Sequence, residues 1–157
     1  CLSRGLGDVY KRQAFIGGSK RLFVTQDRYK GYQKALEDYH LELDPQNTAF
    51  ANEFLEEKGY QFTKHLLNHD SKIDAIITTD SMLAEGVCNY LNQNQLSIPT
   101  LAFDSIKPKL DLAAYVDINT LELGRISFKT ILQIINDTKE NRQICYRQVI
   151  PHRIIEQ

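Results

Sequence analysis

The sequence predicts an α/β fold with a largely parallel sheet, and three features predict it. From Ala14 onward, short apolar runs alternate with segments of helical period. Two of those runs, in IDAIITTD and SIPTLAFD, are short, aliphatic and uncharged, as strands buried on both faces are. Both run toward an aspartate at the carboxyl end, Asp80 and Asp104.

The elements follow in order. AFIGG reads as a strand over 14–18 ending in a glycine turn. Tyr29, Tyr32, Leu36 and Tyr39 stand at three- and four-residue spacing and predict a helix over 27–39. A short strand is expected near 48–51, then a helix over 55–68 with Phe62, Leu66 and Leu67 inward. IDAIITTD is the cleanest strand, and Asp80 or Ser81 caps a helix running to Leu91. SIPTLAFD supplies another strand, and LAAYVDI a further strand or a crossover. A strongly apolar helix over 121–135 follows, and QICYRQVIPHRII closes the chain in extended form.

A chain of 157 residues suits one compact domain, and 42% apolar with 25% charged residues is ordinary for a globular protein. No window approaches the roughly 18 apolar residues of a membrane span, and no charged segment leads into an apolar signal core. Cys1, Cys88 and Cys145 are widely spaced with no CxxC pair, which fits a reducing compartment and small core residues. The net charge of −1 is not that of a nucleic-acid binder. Setting aside Arg4, Lys11, Arg12 and Asp8 of the opening stretch leaves 16 basic and 19 acidic residues.

In open α/β sheets ligands sit beyond the carboxyl ends of the strands. Three such ends carry polar or flexible residues: Gly17-Gly18, Thr79-Asp80 and Asp104. Carboxylates there can accept paired hydrogen bonds from adjacent hydroxyls, and Arg28 can donate a fork of them. Each also has a plainer reading. Asp80 can simply cap a helix, Arg28 can lie in solvent, and Asp104 can start an Asx-turn. His65 and His69 stand four apart, but HLLNH lacks the glutamate of a zinc-protease HExxH, so no metal is expected. No GxGxxG, P-loop, GxSxG elbow or nucleophile–base set is present, so neither a cofactor nor an enzyme is indicated.

AFIGGS…DRYKGYQKAL, DAIITTDSMLAEGV, IPTLAFDS, AYVDINTLELGRISFKTIL and the terminal PHRIIEQ occur in one order with one set of spacings. Together they resemble the effector-binding region of LacI/GalR-type transcription regulators, the periplasmic-binding-protein-like type I fold. The resemblance covers residues 14–157. It implies a C-terminal lobe over 14–116, a helix over 119–140 belonging to the N-terminal lobe, and a terminal extended segment over 143–157. A helix-turn-helix DNA-binding domain would lie outside the chain. The implied function is sensing of a sugar or sugar phosphate by a cytoplasmic homodimer, with operator DNA bound only through that domain and no membrane involved. The rival reading is an extracytoplasmic sugar receptor of an ABC transporter.

Carried over by motif, Arg28, three before Gly31, and Asp104 are implied effector contacts, and Thr79-Asp80 matches the family's Asn-Asp pair. Thr79 departs from the usual asparagine, and Ile118 stands where relatives often have glutamine. The resemblance also implies a dimer face from 82–91 and 108–114, with Met82, Leu83, Val87 and Leu110 as candidates. The alternative is that these side chains pack within their own lobe.

The resemblance begins at Ala14. DVYKRQ back-translates as GAT-GTG-TAT-AAG-AGA-CAG, and with SRGLG it resembles the adaptor and mosaic end of transposon-based sequencing libraries. Residues 1–13 are therefore expected to be disordered translated adaptor, not a basic arm reaching DNA, with the domain entered at Ala14.

Overall fold

The computed structural model describes residues 12–104, 110–139 and 147–156. Its elements are β1 (Gln13–Gly17), α1 (Phe23–Asp38), β2 (Thr48–Phe50), α2 (Glu56–His69), β3 (Ala75–Thr78), α3 (Ser81–Gln93), β4 (Thr100–Phe103), β5 (Ala114–Asp117), α4 (Thr120–Lys139) and β6 (Arg153–Glu156). They form one sheet of order β2-β1-β3-β4-β5-β6. The first five strands are parallel, and β6 runs antiparallel to β5. The chain steps from β1 to β2 on one side and returns to β3 on the other. That reversal places a topological switch point between β1 and β3, where doubly wound sheets open a crevice.

Strand alternation sets the two layers. Ala14, Ile16 and Ile76 point to one face and pack with Leu66, Leu67, Leu83, Val87 and Leu91 of α2 and α3. Each fully buried Leu or Val here is worth about 1.5–3 kcal/mol relative to exposure. Phe15 points the other way and meets α1 through Tyr32, Leu36 and Tyr29, its ring 5.1 Å from that of Tyr32. A third cluster, Ala84, Cys88, Ala102 and Leu112, closes the β4 side of α3.

Helices α2 and α3 approach backbone to backbone. A Cβ on Gly59 would run into the Leu83 carbonyl, and one on Gly86 into the Glu56 carbonyl. Only glycine permits that crossing, and its closeness is what seals Leu83 and Val87 inside.

Several boundaries differ from the sequence expectation for physical reasons. Helix α1 begins at Phe23, four residues early, because its N-cap is Leu22 and no capping side chain marks the start. Tyr39 falls just past its end and is exposed. Strand β1 starts at Gln13; the Gln13 carbonyl accepts the Tyr32 hydroxyl, and the Arg12 carbonyl accepts the Asp74 amide. The Arg12 guanidinium also pairs with Asp70 Oδ2 at 2.9 Å, so the expectation of disorder over residues 1–13 is corrected for Arg12 and Gln13, which join the sheet and its edge. The rest of the adaptor-like stretch, Cys1 to Lys11, lies outside the described residues, as do Cys145 and Pro108. Helix α4 buries none of its residues, and Leu121, Phe128, Ile131, Leu132 and Ile135 are all exposed.

Candidate functional site

The carboxyl ends of β1, β3 and β4 meet on one rim, and backbone bonds hold that rim together. The Thr79 amide donates to the Ile16 carbonyl at 3.1 Å, and the Ala51 amide donates to the Gly17 carbonyl at 2.8 Å. Gly18 is a glycine for a steric reason, since a Cβ there would fall inside the Phe54 ring. The Gly18 amide donates to Thr79 Oγ1 at 2.9 Å.

Arg28 reaches this rim from the second turn of α1. Its Nη1 donates to the Thr79 carbonyl, and its Nη2 donates to Asp104 Oδ1 at 3.0 Å. The guanidinium carbon lies 4.7 Å from the centroid of the Phe103 ring. A carbonyl, a carboxylate and an aromatic face thus fix a side chain that is only 16% exposed. The guanidinium has five N–H donors and these contacts use few of them. Asp104 adopts φ 80°, in the left-handed region that favours glycine, and so holds its carboxylate against Arg28 at a backbone cost.

Asp80 is the N-cap of α3. Its Oδ1 accepts the Met82 and Leu83 amides, each at 3.0 Å, and its Oδ2 accepts the Thr79 hydroxyl at 3.2 Å. Burial pushes its carboxyl above the ordinary range, and the nearby Asp104 charge adds to that, while the amide and hydroxyl donors oppose it. Arg28 from α1 and Thr79, Asp80 and Asp104 from the ends of β3 and β4 therefore form one connected network. Arg28 and Asp104 present functional groups, while Thr79 and Asp80 are spent on bonds within the rim.

The proposed dimer-face residues fare differently. Leu83 and Val87 are wholly buried under α2, so the expectation that they face a second subunit is corrected: their side chains belong to this lobe's core. Met82 is exposed, and Leu110 packs half-buried on the Ala84–Cys88–Ala102 cluster. His69 Nε2 pairs with Gln46 Oε1 at 2.7 Å, and His65 is exposed on the same helix. Among the described residues no group of three or more His, Cys, Asp or Glu is placed to hold a metal. The buried Cys88 thiol is pushed up to about 11 by desolvation, far from a reactive thiolate.

Sequence reasoning missed the aromatic component. Phe54 covers Gly18 and Phe103 floors Arg28, and the only signal was an aromatic residue beside a strand end. A groove of about 480 Å³ runs from Arg28 along Gly31, Tyr32, Ile77, Leu101 and Phe103 beside α1, and Asp104 and Thr79 lie outside its lining. Donors from Arg28, acceptors from Asp104 and flat apolar rings are the groups a polyhydroxylated ring requires.

The fold is that of periplasmic-binding-protein-like domains. The chain is 68% identical over 146 residues to the HTH-type transcriptional regulator MalR of Streptococcus pneumoniae, covering 93% of this chain and 44% of that protein. It is 27% identical over 143 residues to the ribose operon repressor of Haemophilus influenzae, covering 84% of this chain and 42% of the repressor. A putative transcriptional regulator LacI from Bacillus cereus subsp. cytotoxis superposes with a TM-score of 0.81 at 24% identity, over 94% of this chain and 53% of that one. A CelR–cellobiose complex superposes at 0.75 with 16% identity, over 93% and 46%. No protein-family model matches the chain. The chain is homologous to LacI/GalR-type transcriptional regulators and spans about half the length of the curated relatives it matches. No described helix is long and apolar enough to cross a membrane.

Proposed function

We propose that this chain is the sugar-sensing, effector-binding part of a LacI/GalR-type repressor of a carbohydrate operon. The observation that carries the reading is the Arg28–Asp104 pair, set against the Phe103 ring at the carboxyl ends of β3 and β4. It offers the donors and acceptors that vicinal hydroxyls require. Similarity to MalR and to the ribose operon repressor supports the regulatory half of the reading. The effector is a sugar or sugar phosphate, the working unit is a cytoplasmic homodimer, and no turnover accompanies binding. Operator DNA is contacted through a separate N-terminal domain. Effector binding shifts operator affinity only by as much as the effector prefers one lobe arrangement over the other.

Helix α4 fits the same plan. Its exposed apolar residues, Leu121, Phe128, Ile131, Leu132 and Ile135, are what a helix contributed to a second lobe presents.

The test is the gene upstream of Ala14 together with operator release. A helix-turn-helix reading frame, and an operator complex of the whole protein that dissociates with a sugar, are expected. A lipobox-bearing export signal in that frame makes the protein a transporter receptor and overturns the proposal.

A further inference from the structure

Thr79 is one of two positions where the chain departs from what the family resemblance implies, here an asparagine, and its bonding explains what the threonine does. All its polar groups are engaged. The amide donates to the Ile16 carbonyl at 3.1 Å. The carbonyl accepts from Arg28 Nη1. The hydroxyl oxygen accepts from the Gly18 amide at 2.9 Å, and the hydroxyl proton goes to Asp80 Oδ2 at 3.2 Å. The residue is 1% exposed. A hydroxyl has one proton, and here it is spent, so the side chain has no donor for a ligand. An asparagine amide has two N–H donors and a carbonyl, enough to make the same two bonds and keep one donor free.

We infer that Thr79 is a positioning residue: its hydroxyl ties the end of β1 to the α3 cap, and so aims its own carbonyl at Arg28. Ligand selectivity at this position then acts through the guanidinium, not through a side-chain contact by Thr79. The inference rests on the effector-site reading for its consequence in binding, but its first test needs no sugar.

Three forms of the chain are compared: wild type, Thr79→Ser, which keeps the hydroxyl, and Thr79→Val, which keeps the shape and loses it. The readouts are the guanidinium nitrogen resonances of Arg28 and hydrogen exchange at the Gly18 amide. Wild type and Thr79→Ser are expected to give two resolved Nη signals, because anchoring slows rotation of the guanidinium. In Thr79→Val those signals average, and Gly18 exchange rises by about tenfold, as for one lost buried hydrogen bond. A general loss of stability lowers the melting temperature but leaves the Arg28 signature of the folded molecules unchanged. A folded Thr79→Val with the wild-type Arg28 signature therefore overturns the inference.

If Thr79→Val does not fold, wild type and Thr79→Ser still decide. A Gly18 amide that exchanges like an open loop, or a Thr79→Ser that loses the split Nη signals, contradicts the inference. In calorimetry against a panel of hexoses, pentoses and their disaccharides, Thr79→Asn is expected to change the order of preference by restoring a free donor. An Arg28 signature that responds to Thr79→Val while no sugar binds any variant sinks the effector reading and leaves the positioning role intact.

Discussion

Arg28 and Asp104, 76 positions apart in sequence, meet in a 3.0 Å ion pair that ties the second turn of α1 to the end of β4. The pair is partly buried, with side-chain exposures of 16% and 29%, so water screens it less than a surface pair. Phe103 beneath and the Thr79 carbonyl beside it remove the guanidinium's freedom before any ligand arrives. Preorganisation of this kind lowers the entropic cost of binding.

Loss of Asp104 is expected to weaken sugar binding about ten- to hundredfold, the worth of one hydrogen bond to a charged group. Asp104→Asn keeps the shape but removes the charge that orients Arg28, so it is expected to fall between wild type and Asp104→Ala. Calorimetric dissociation constants for the three check the order. An Asp104→Ala equal to wild type removes Asp104 from the site.

The backbone at Asp104 makes a separate prediction about stability. Asp104→Ala and Asp104→Gly both delete the carboxylate, but only glycine is at ease at φ 80°. Asp104→Gly is expected to be more stable than Asp104→Ala by about 1 kcal/mol, measured by urea unfolding. Equal stabilities contradict a strained backbone there.

The glycine crossing of α2 and α3 should tolerate no side chain. Gly59→Ala and Gly86→Ala push a methyl into the Leu83 and Glu56 carbonyls, which are backbone and cannot turn aside. Each is expected to cost about 1–3 kcal/mol in overpacking, against little change for Gly31→Ala, whose added methyl meets nothing. Thermal melts of the three variants test the contrast.

Asp80 contributes a component of stability that falls with rising pH. Its folded carboxyl sits above the ordinary value of 3.8, mainly through burial, so the folded state holds that proton more tightly than the unfolded chain. The stabilisation is complete below 3.8 and is lost as pH rises through the folded value. Asp80→Asn removes this component while leaving an acceptor for the Met82 and Leu83 amides. As pH is raised from 3.8, urea midpoints should fall less, or rise more, in Asp80→Asn than in wild type. An identical pH dependence in the two contradicts the assignment.

Much of the fold was legible in the residues. IDAIITTD announced β3 because an aliphatic run fits a central strand, although only Ile76 and Thr78, on one face, are fully buried; Asp80 announced α3 because few other residues cap so well. The start of α1 was not legible, since Leu22 supplies no cap and the first turn, with Phe23 and Val24, is exposed and apolar. The burial of Leu83 and Val87 was hidden for another reason. An apolar helix stripe looks the same facing a core or a partner, and the answer lay in Gly59 and Gly86 on two different helices. At the rim, Asp104 was readable as a charged residue at a strand end, and Arg28 as a helix residue with a fork of donors. Phe54 and Phe103 were not, because an aromatic residue beside a strand reads first as core.

The central claim is that the rim around Arg28 binds a sugar. Calorimetric titration of the whole regulator and its Arg28→Ala variant with hexoses, pentoses and their disaccharides tests it most directly. Saturable binding of at least one sugar by wild type, lost or greatly weakened in Arg28→Ala, is the predicted result. Binding that Arg28→Ala retains in full, or no binding of any sugar by the folded whole regulator, would contradict it.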